Sequence, residues 1–112
     1  EVIVCEAEKG VMQLWTYGVK NSVGIGGHEI SAIQLKKLLD LNANVVIAFD
    51  KDISKEQISK ECKKFKHSKK KVYFIYDVDN ILEEKESPMD NPSKWEKLYK
   101  NKKQYLFEKN DL

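Results

Sequence analysis

The sequence predicts an α/β fold: an open, mostly parallel sheet of four to five strands with helices on both faces. Three observations carry this expectation. Short apolar, β-branched runs (Val2–Cys5, residues 45–49 and 72–76) alternate with stretches whose apolar residues recur at helical spacing. The runs show little polar alternation, as expected of strands covered on both faces. Helix-start signals stand between them. Ser31-Ala32-Ile33-Gln34 and Ser54-Lys55-Glu56-Gln57 both place serine at the cap and glutamine three residues on.

In chain order, Val2-Ile3-Val4-Cys5 is the first strand. After Glu6-Ala7-Glu8-Lys9-Gly10, the residues Val11, Met12, Leu14 and Trp15 mark an apolar helical stripe. Gly18 fits the left-handed residue that closes that helix. Residues 22–25 read as the second strand, and Gly26-Gly27 as its tight exit. The helix opened by Ser31 carries Ile33, Leu35, Leu38 and Leu39. Residues 45–49 are the third strand. The helix opened by Ser54 sets Ile58, Cys62 and Phe65 on one face, at i, i+4 and i+7. Residues 72–76 are the fourth strand and 83–90 a polar loop. Asn91-Pro92 caps a last helix striped by Trp95, Leu98 and Tyr99. Residues 104–107 suggest a final strand. Trp15 and Trp95, both on apolar stripes, are expected in the core.

The 112 residues fit one domain, 1–112, with one core. With 20 Lys+Arg against 18 Asp+Glu the net charge is +2, which by itself implies neither a nucleic-acid nor a membrane partner. No run approaches the ~20 apolar residues of a membrane span, so a cytoplasmic protein is expected. Two cysteines, Cys5 and Cys62, make no disulfide framework and no zinc site; they read as small buried hydrophobes. Because the chain opens on Glu1 at a strand, it reads as a fragment of a longer protein.

The chemistry gathers at the strand exits: Glu6, Gly26-Gly27, Asp50-Lys51-Asp52 and Asp77-Val78-Asp79. In a parallel sheet these share one edge, where such sheets bind ligands. Five carboxylates meeting there would repel one another, and a hard divalent cation offsets that repulsion best. Mg2+ is the usual choice where phosphates are handled. The glycines would let backbone N–H groups approach a phosphate, or only permit a sharp turn. His28 lies beside the crevice, where it contacts a phosphate or is incidental. Asp77 and Asp79 could equally be plain turn formers. Lys55, Lys60, Lys63, Lys64, Lys66, Lys69, Lys70 and Lys71 form a basic face, either solvated or meeting nucleic-acid phosphates.

On Glu6, Gly26-Gly27 and Asp50-Lys51-Asp52, the chain resembles the TOPRIM domain of primases, topoisomerases and related nucleases over residues 2–90. It is most similar to primases of bacterial, phage or mobile-element type. The resemblance implies that Asp50 and Asp52 hold Mg2+ or Mn2+ and that Glu6 is a metal ligand or general acid/base. It also implies nucleotidyl transfer that makes RNA primers, with nucleoside triphosphates and a single-stranded DNA template as partners of the full-length protein. A replicative helicase is a further partner of this kind, and the isolated fragment is expected to be inactive. The segment Lys85-Glu86-Ser87-Pro88-Met89-Asp90 is similar to the Lys-Asp-Pro segment of primases. The chain departs from the replicative pattern in three places. Gly10 stands where an aspartate is usual, His28-Glu29 where Thr or Ser follows the glycines, and Lys51 where glycine separates the aspartates. Three alternatives stay open: a TOPRIM nuclease or other phosphotransfer enzyme, a non-catalytic TOPRIM interaction module, and a response-regulator receiver. The receiver would need Lys109 as its lysine after the last strand.

Overall fold

The computed structural model describes residues 1–108. The strands are β1 (Val2–Cys5), β2 (Ser22–Gly24), β3 (Val45–Ala48), β4 (Val72–Phe74) and β5 (Lys103–Gln104). The helices are α1 (Glu8–Thr16), α2 (Ala32–Asp40), α3 (Lys55–Lys63) and α4 (Pro92–Lys100). The five strands form one sheet in the order β2-β1-β3-β4-β5. The first four are parallel, and β5 runs antiparallel to β4. Lys109 lies outside the described residues.

Side chains alternate across a strand, so each central strand feeds two apolar layers. Val2, Val4, Val45 and Ile47 pack with Leu38 of α2 and with Ile58 and Cys62 of α3. Ile3, Cys5, Val46 and Ala48 pack with Leu14 of α1 and with Trp95 and Leu98 of α4. All of β1 and β3 is buried, which is why their sequences lack polar alternation. Cys5 and Cys62 are both buried and free.

Several expectations are corrected. Trp15 and Met12 are not core residues; they are 56% and 68% exposed. A nine-residue helix laid on a sheet buries only a narrow stripe, and in α1 that stripe is Gly10 and Leu14, four residues apart. Met12 and Trp15 fall off it, and Lys20 stacks 5.0 Å from the Trp15 ring. Ile33 is likewise 71% exposed on α2. The short second strand is an edge strand and is not buried. The fourth strand stops at Phe74, although the Ile75 N–H still reaches the Ile47 carbonyl at 2.9 Å. The final strand is Lys103–Gln104 and does not extend over 104–107. Beyond it Tyr105 and Phe107 stack, with ring centroids 5.0 Å apart. Among the described residues no helix is long and apolar enough to cross a membrane.

The capping box at Ser31 is complete. At Ser54 only half of it forms: Ser54 Oγ accepts the Gln57 N–H at 3.1 Å. The Gln57 amide turns away instead, donating to Glu61 Oε2 at 2.9 Å and to the His28 carbonyl at 3.3 Å.

Candidate active site

Strand order makes the site. From β1 the chain crosses through α1 to β2 on one side. It then returns through α2, on the opposite face, to β3 on the other side of β1. The carboxyl ends of β1 and β3 therefore flank a topological switch point, where such sheets open a crevice. Glu6 follows β1 and Asp50 follows β3 by two residues.

The two touch. Glu6 Oε1 accepts the Asp50 backbone N–H at 2.5 Å. The Glu6 carbonyl accepts the N–H groups of Gly26 and Gly27 at 2.7 and 3.0 Å. The glycine turn therefore positions Glu6; its amides are directed at a neighbouring backbone and not at the crevice. Gly26 has φ +79°, a conformation that side-chain-bearing residues rarely adopt.

The electrostatics are those of crowded carboxylates. Burial pushes Asp50 up to about 6, and Glu6, Asp52 and Asp90 push the same way while Lys9 opposes them. Glu6 is also raised, chiefly by burial with Asp52 adding; the Asp50 N–H and His28 pull it back. Asp90 is the member that motif reading of the strand ends missed. Only the similarity of residues 85–90 to a primase segment pointed to its loop. Its carboxylate accepts the Ser87 N–H at 3.0 Å, the Ser87 hydroxyl at 2.7 Å and the Gln13 amide at 3.0 Å. Burial raises Asp90, but these hydrogen bonds outweigh it and leave its carboxyl below the usual range. Glu6, Lys9, Gln13, Asp50, Lys85 and Asp90 line a cavity of about 130 Å3. His28 is exposed and acts on this group through its charge.

The expected meeting of five carboxylates does not occur. Asp77 stands at the same edge, but its oxygens accept the N–H groups of Ile81 and Leu82 at 2.9 and 2.8 Å. Lys51 lies 3.6 Å from Asp77 and also donates to Asn80 Oδ1 and the Leu82 carbonyl. An aspartate followed by free backbone amides closes a turn on itself, and here that competition wins. Asp77 and Asp79 line a separate cavity of about 420 Å3 with Tyr76, Lys97 and Lys103.

The crevice fits a hard divalent cation in part. Among the described residues no three His, Cys, Asp or Glu side chains are assembled as a ready-made metal cage. The donors are carboxylate oxygens, and Mg2+ commonly takes one or two of these and completes its shell with water and phosphate. Gln13 Oε1, buried on the cavity wall, has no hydrogen-bond partner among the described residues, which leaves an acceptor for a bound water or ligand.

Residues 3–69 match the family model described as Toprim-like. The chain belongs to the Toprim-like family. No curated protein matches it. Among solved structures it is similar to the Aquifex aeolicus primase, in a crystal structure of its zinc-binding and RNA polymerase domains. That match has a TM-score of 0.71 and 18% identity over 93% of this chain. The Toprim-like chain spans 26% of that primase chain.

Three further residues of this Toprim-like chain serve the site without entering it. A Cβ at Gly24 would lie 3.0 Å from the Ala7 carbonyl carbon and 3.1 Å from the Glu8 nitrogen. Backbone cannot yield as a side chain can, so Gly24→Ala will destabilise the chain by about 1–3 kcal/mol, read by urea denaturation. It will also displace the segment that follows Glu6. A variant as stable as the wild type would refute this close approach. At Gly10 a Cβ would meet Met89 at 3.2 Å and Cys5 at 3.4 Å. The wall that holds the Asp90 loop thus leaves little room for a side chain at position 10. Glu61, fully buried on α3, anchors the segment that follows the glycine turn, at Ile30. Its Oε1 accepts the Ile30 N–H at 2.7 Å and the Lys64 ammonium at 2.6 Å. Lys64 in turn donates to the Ile30 carbonyl at 2.8 Å.

Proposed function

We propose that this chain is the metal-dependent core of a DNA primase and works as part of a longer protein. The reaction is nucleotidyl transfer: the 3′-oxygen of a growing primer bonds to the α-phosphorus of a nucleoside triphosphate. The bond to the β-phosphate oxygen breaks, pyrophosphate leaves, and the hydroxyl proton passes to a base. The observation that carries this reading is the contact of Glu6 with Asp50 across the switch point, at 2.5 Å. The Toprim-like family and the likeness of fold to a primase support it.

In this reading Asp50 and Asp52 hold Mg2+ or Mn2+, with Glu6 as a further ligand or as the proton-transfer group. Asp90 stands on the same cavity wall and adds negative charge there, its oxygens held by Ser87 and Gln13. Bound metal would polarise the phosphate and offset its charge. Glu6 Oε1 is engaged by the Asp50 N–H, which leaves Oε2 for a ligand or a proton. Burial raises Glu6, and a carboxylate raised towards neutrality is suited to general acid–base work. Lys9 and Lys85, on the cavity wall, supply positive charge for a triphosphate. Single-stranded template and a replicative helicase would engage the whole protein, in the cytoplasm.

Isothermal titration with Mn2+ tests the metal assignment. The wild type will bind in the micromolar-to-millimolar range, and an Asp50→Asn/Asp52→Asn chain will give no heat above dilution. Equal heats from both would end the assignment. Incubating the full-length protein with single-stranded DNA and ribonucleotides decides the reaction: primers are expected, and cleaved DNA would make this a nuclease.

A further inference from the structure

Charge is distributed very unevenly along this chain. Residues 63–71 carry six lysines and no acid; without them the net charge falls from +2 to −4. Lys64 is neutralised by buried Glu61. Lys66, Lys69, Lys70 and Lys71 are exposed, and no ion pair holds any of them among the described residues. Their backbone is fixed nonetheless. The Ser68 N–H reaches the Phe65 carbonyl at 2.9 Å, the Lys70 N–H reaches Ser68 Oγ at 3.1 Å, and the Lys71 N–H reaches Asn44 Oδ1 at 2.9 Å. These four ammonium groups enter β4 from its amino end, so they lie at the sheet edge opposite the carboxylate crevice. Of the carboxylates on elements reaching this edge, Asp40 pairs with Lys36, Glu1 accepts from the Tyr99 hydroxyl, and Glu108, on the segment that follows antiparallel β5, is itself engaged.

We propose that Lys66, Lys69, Lys70 and Lys71 form a second contact surface that holds the phosphate backbone of a nucleic-acid strand at the edge away from the crevice. A cluster of exposed cations on a fixed turn matches regularly spaced phosphates and reads no bases. An anionic membrane is disfavoured, because the one large apolar side chain in the stretch, Phe65, is 1% exposed and cannot insert. The choice of nucleic acid rests on the proposed function, but the surface shares no residue with the crevice.

Anisotropy of a fluorescein-labelled single-stranded 20-mer tests it. Wild-type affinity will fall with NaCl on a log–log slope of about −3, as expected for four phosphate contacts. Changing Lys66, Lys69, Lys70 and Lys71 to Gln will weaken binding at least tenfold at low salt and flatten the slope. A charge-matched control with Lys20, Lys37, Lys97 and Lys100 changed to Gln will stay within about threefold of wild type. Equal losses in the two variants, or wild-type binding by the first, would overturn the proposal. So would equally tight binding to phosphatidylserine vesicles. The first variant will titrate Mn2+ as the wild type does, so a failed crevice and a failed surface give different results.

Discussion

Asp50→Asn will raise the melting temperature of the metal-free chain and at the same time remove most of its Mn2+ affinity. In the fold, burial and the neighbours Glu6, Asp52 and Asp90 hold the Asp50 carboxyl at about 6, against an ordinary value of 3.8. A raised acid binds its proton more tightly when folded. The protonated form therefore favours the fold at low pH, and that contribution is lost as pH rises from about 4 through 6. At pH 7.5 the ionised group is a net burden. A shift of this size corresponds to about 3 kcal/mol, which solvent screening of a half-buried group reduces to about 1–2 kcal/mol. For a chain of this length that is a rise of roughly 4–10 °C. Thermal denaturation in EDTA should show the gain at pH 7.5 and a much smaller one at pH 4.5. Added Mn2+ should stabilise the wild type and leave the variant unmoved. If the variant melts below wild type in EDTA at pH 7.5, the crowding of carboxylates is not what governs this crevice.

Glu61→Ala will cost about 3 kcal/mol, a large share of the stability of a domain this size. The substitution removes the acceptor of the Ile30 N–H and of Lys64, and it opens space beside Ile30, three residues after Gly27. Glu61→Gln keeps the shape and an acceptor and should lose less. Lys64→Ala combined with Glu61→Ala should cost less than the two added together, because the pair is coupled. Urea denaturation of these three and of Lys64→Ala alone measures the losses. Hydrogen exchange adds a local readout: the amides of Gly26 and Gly27, bonded to the Glu6 carbonyl, should lose protection in Glu61→Ala before the β3 amides do. A loss under 1 kcal/mol with unchanged exchange would mean that the turn is held some other way.

Much of the fold was legible because its signals are local. Unalternating runs at 2–5 and 45–48 required cover on both faces, and serine caps placed α2 and α3 to the residue. The errors have a common origin. Met12, Trp15 and Ile33 are apolar residues on helices that bury a narrower stripe than the sequence suggests, and only the helix-to-sheet contact defines that stripe. The opposite error is Glu61, which the sequence presents as one more charged residue on a lysine-rich helix. Its burial depends on Ile30 and Lys64 meeting it in space.

The candidate site divides in the same way. The sequence alone determined that Glu6, Gly26-Gly27 and Asp50-Lys51-Asp52 stand at strand exits, because strand period and turn chemistry are properties of neighbouring residues. It could not determine which exits adjoin. Asp77 stands at a strand exit as Asp50 does and was a possible additional member of the site, yet it closes its own loop, while Asp90, forty residues beyond Asp50, comes to the crevice. Strand order decided this: β1 lies between β2 and β3, so Glu6 meets both the glycine turn and Asp50. That order is fixed by which apolar faces the helices cover, and such long-range packing is written in no local stretch of the chain.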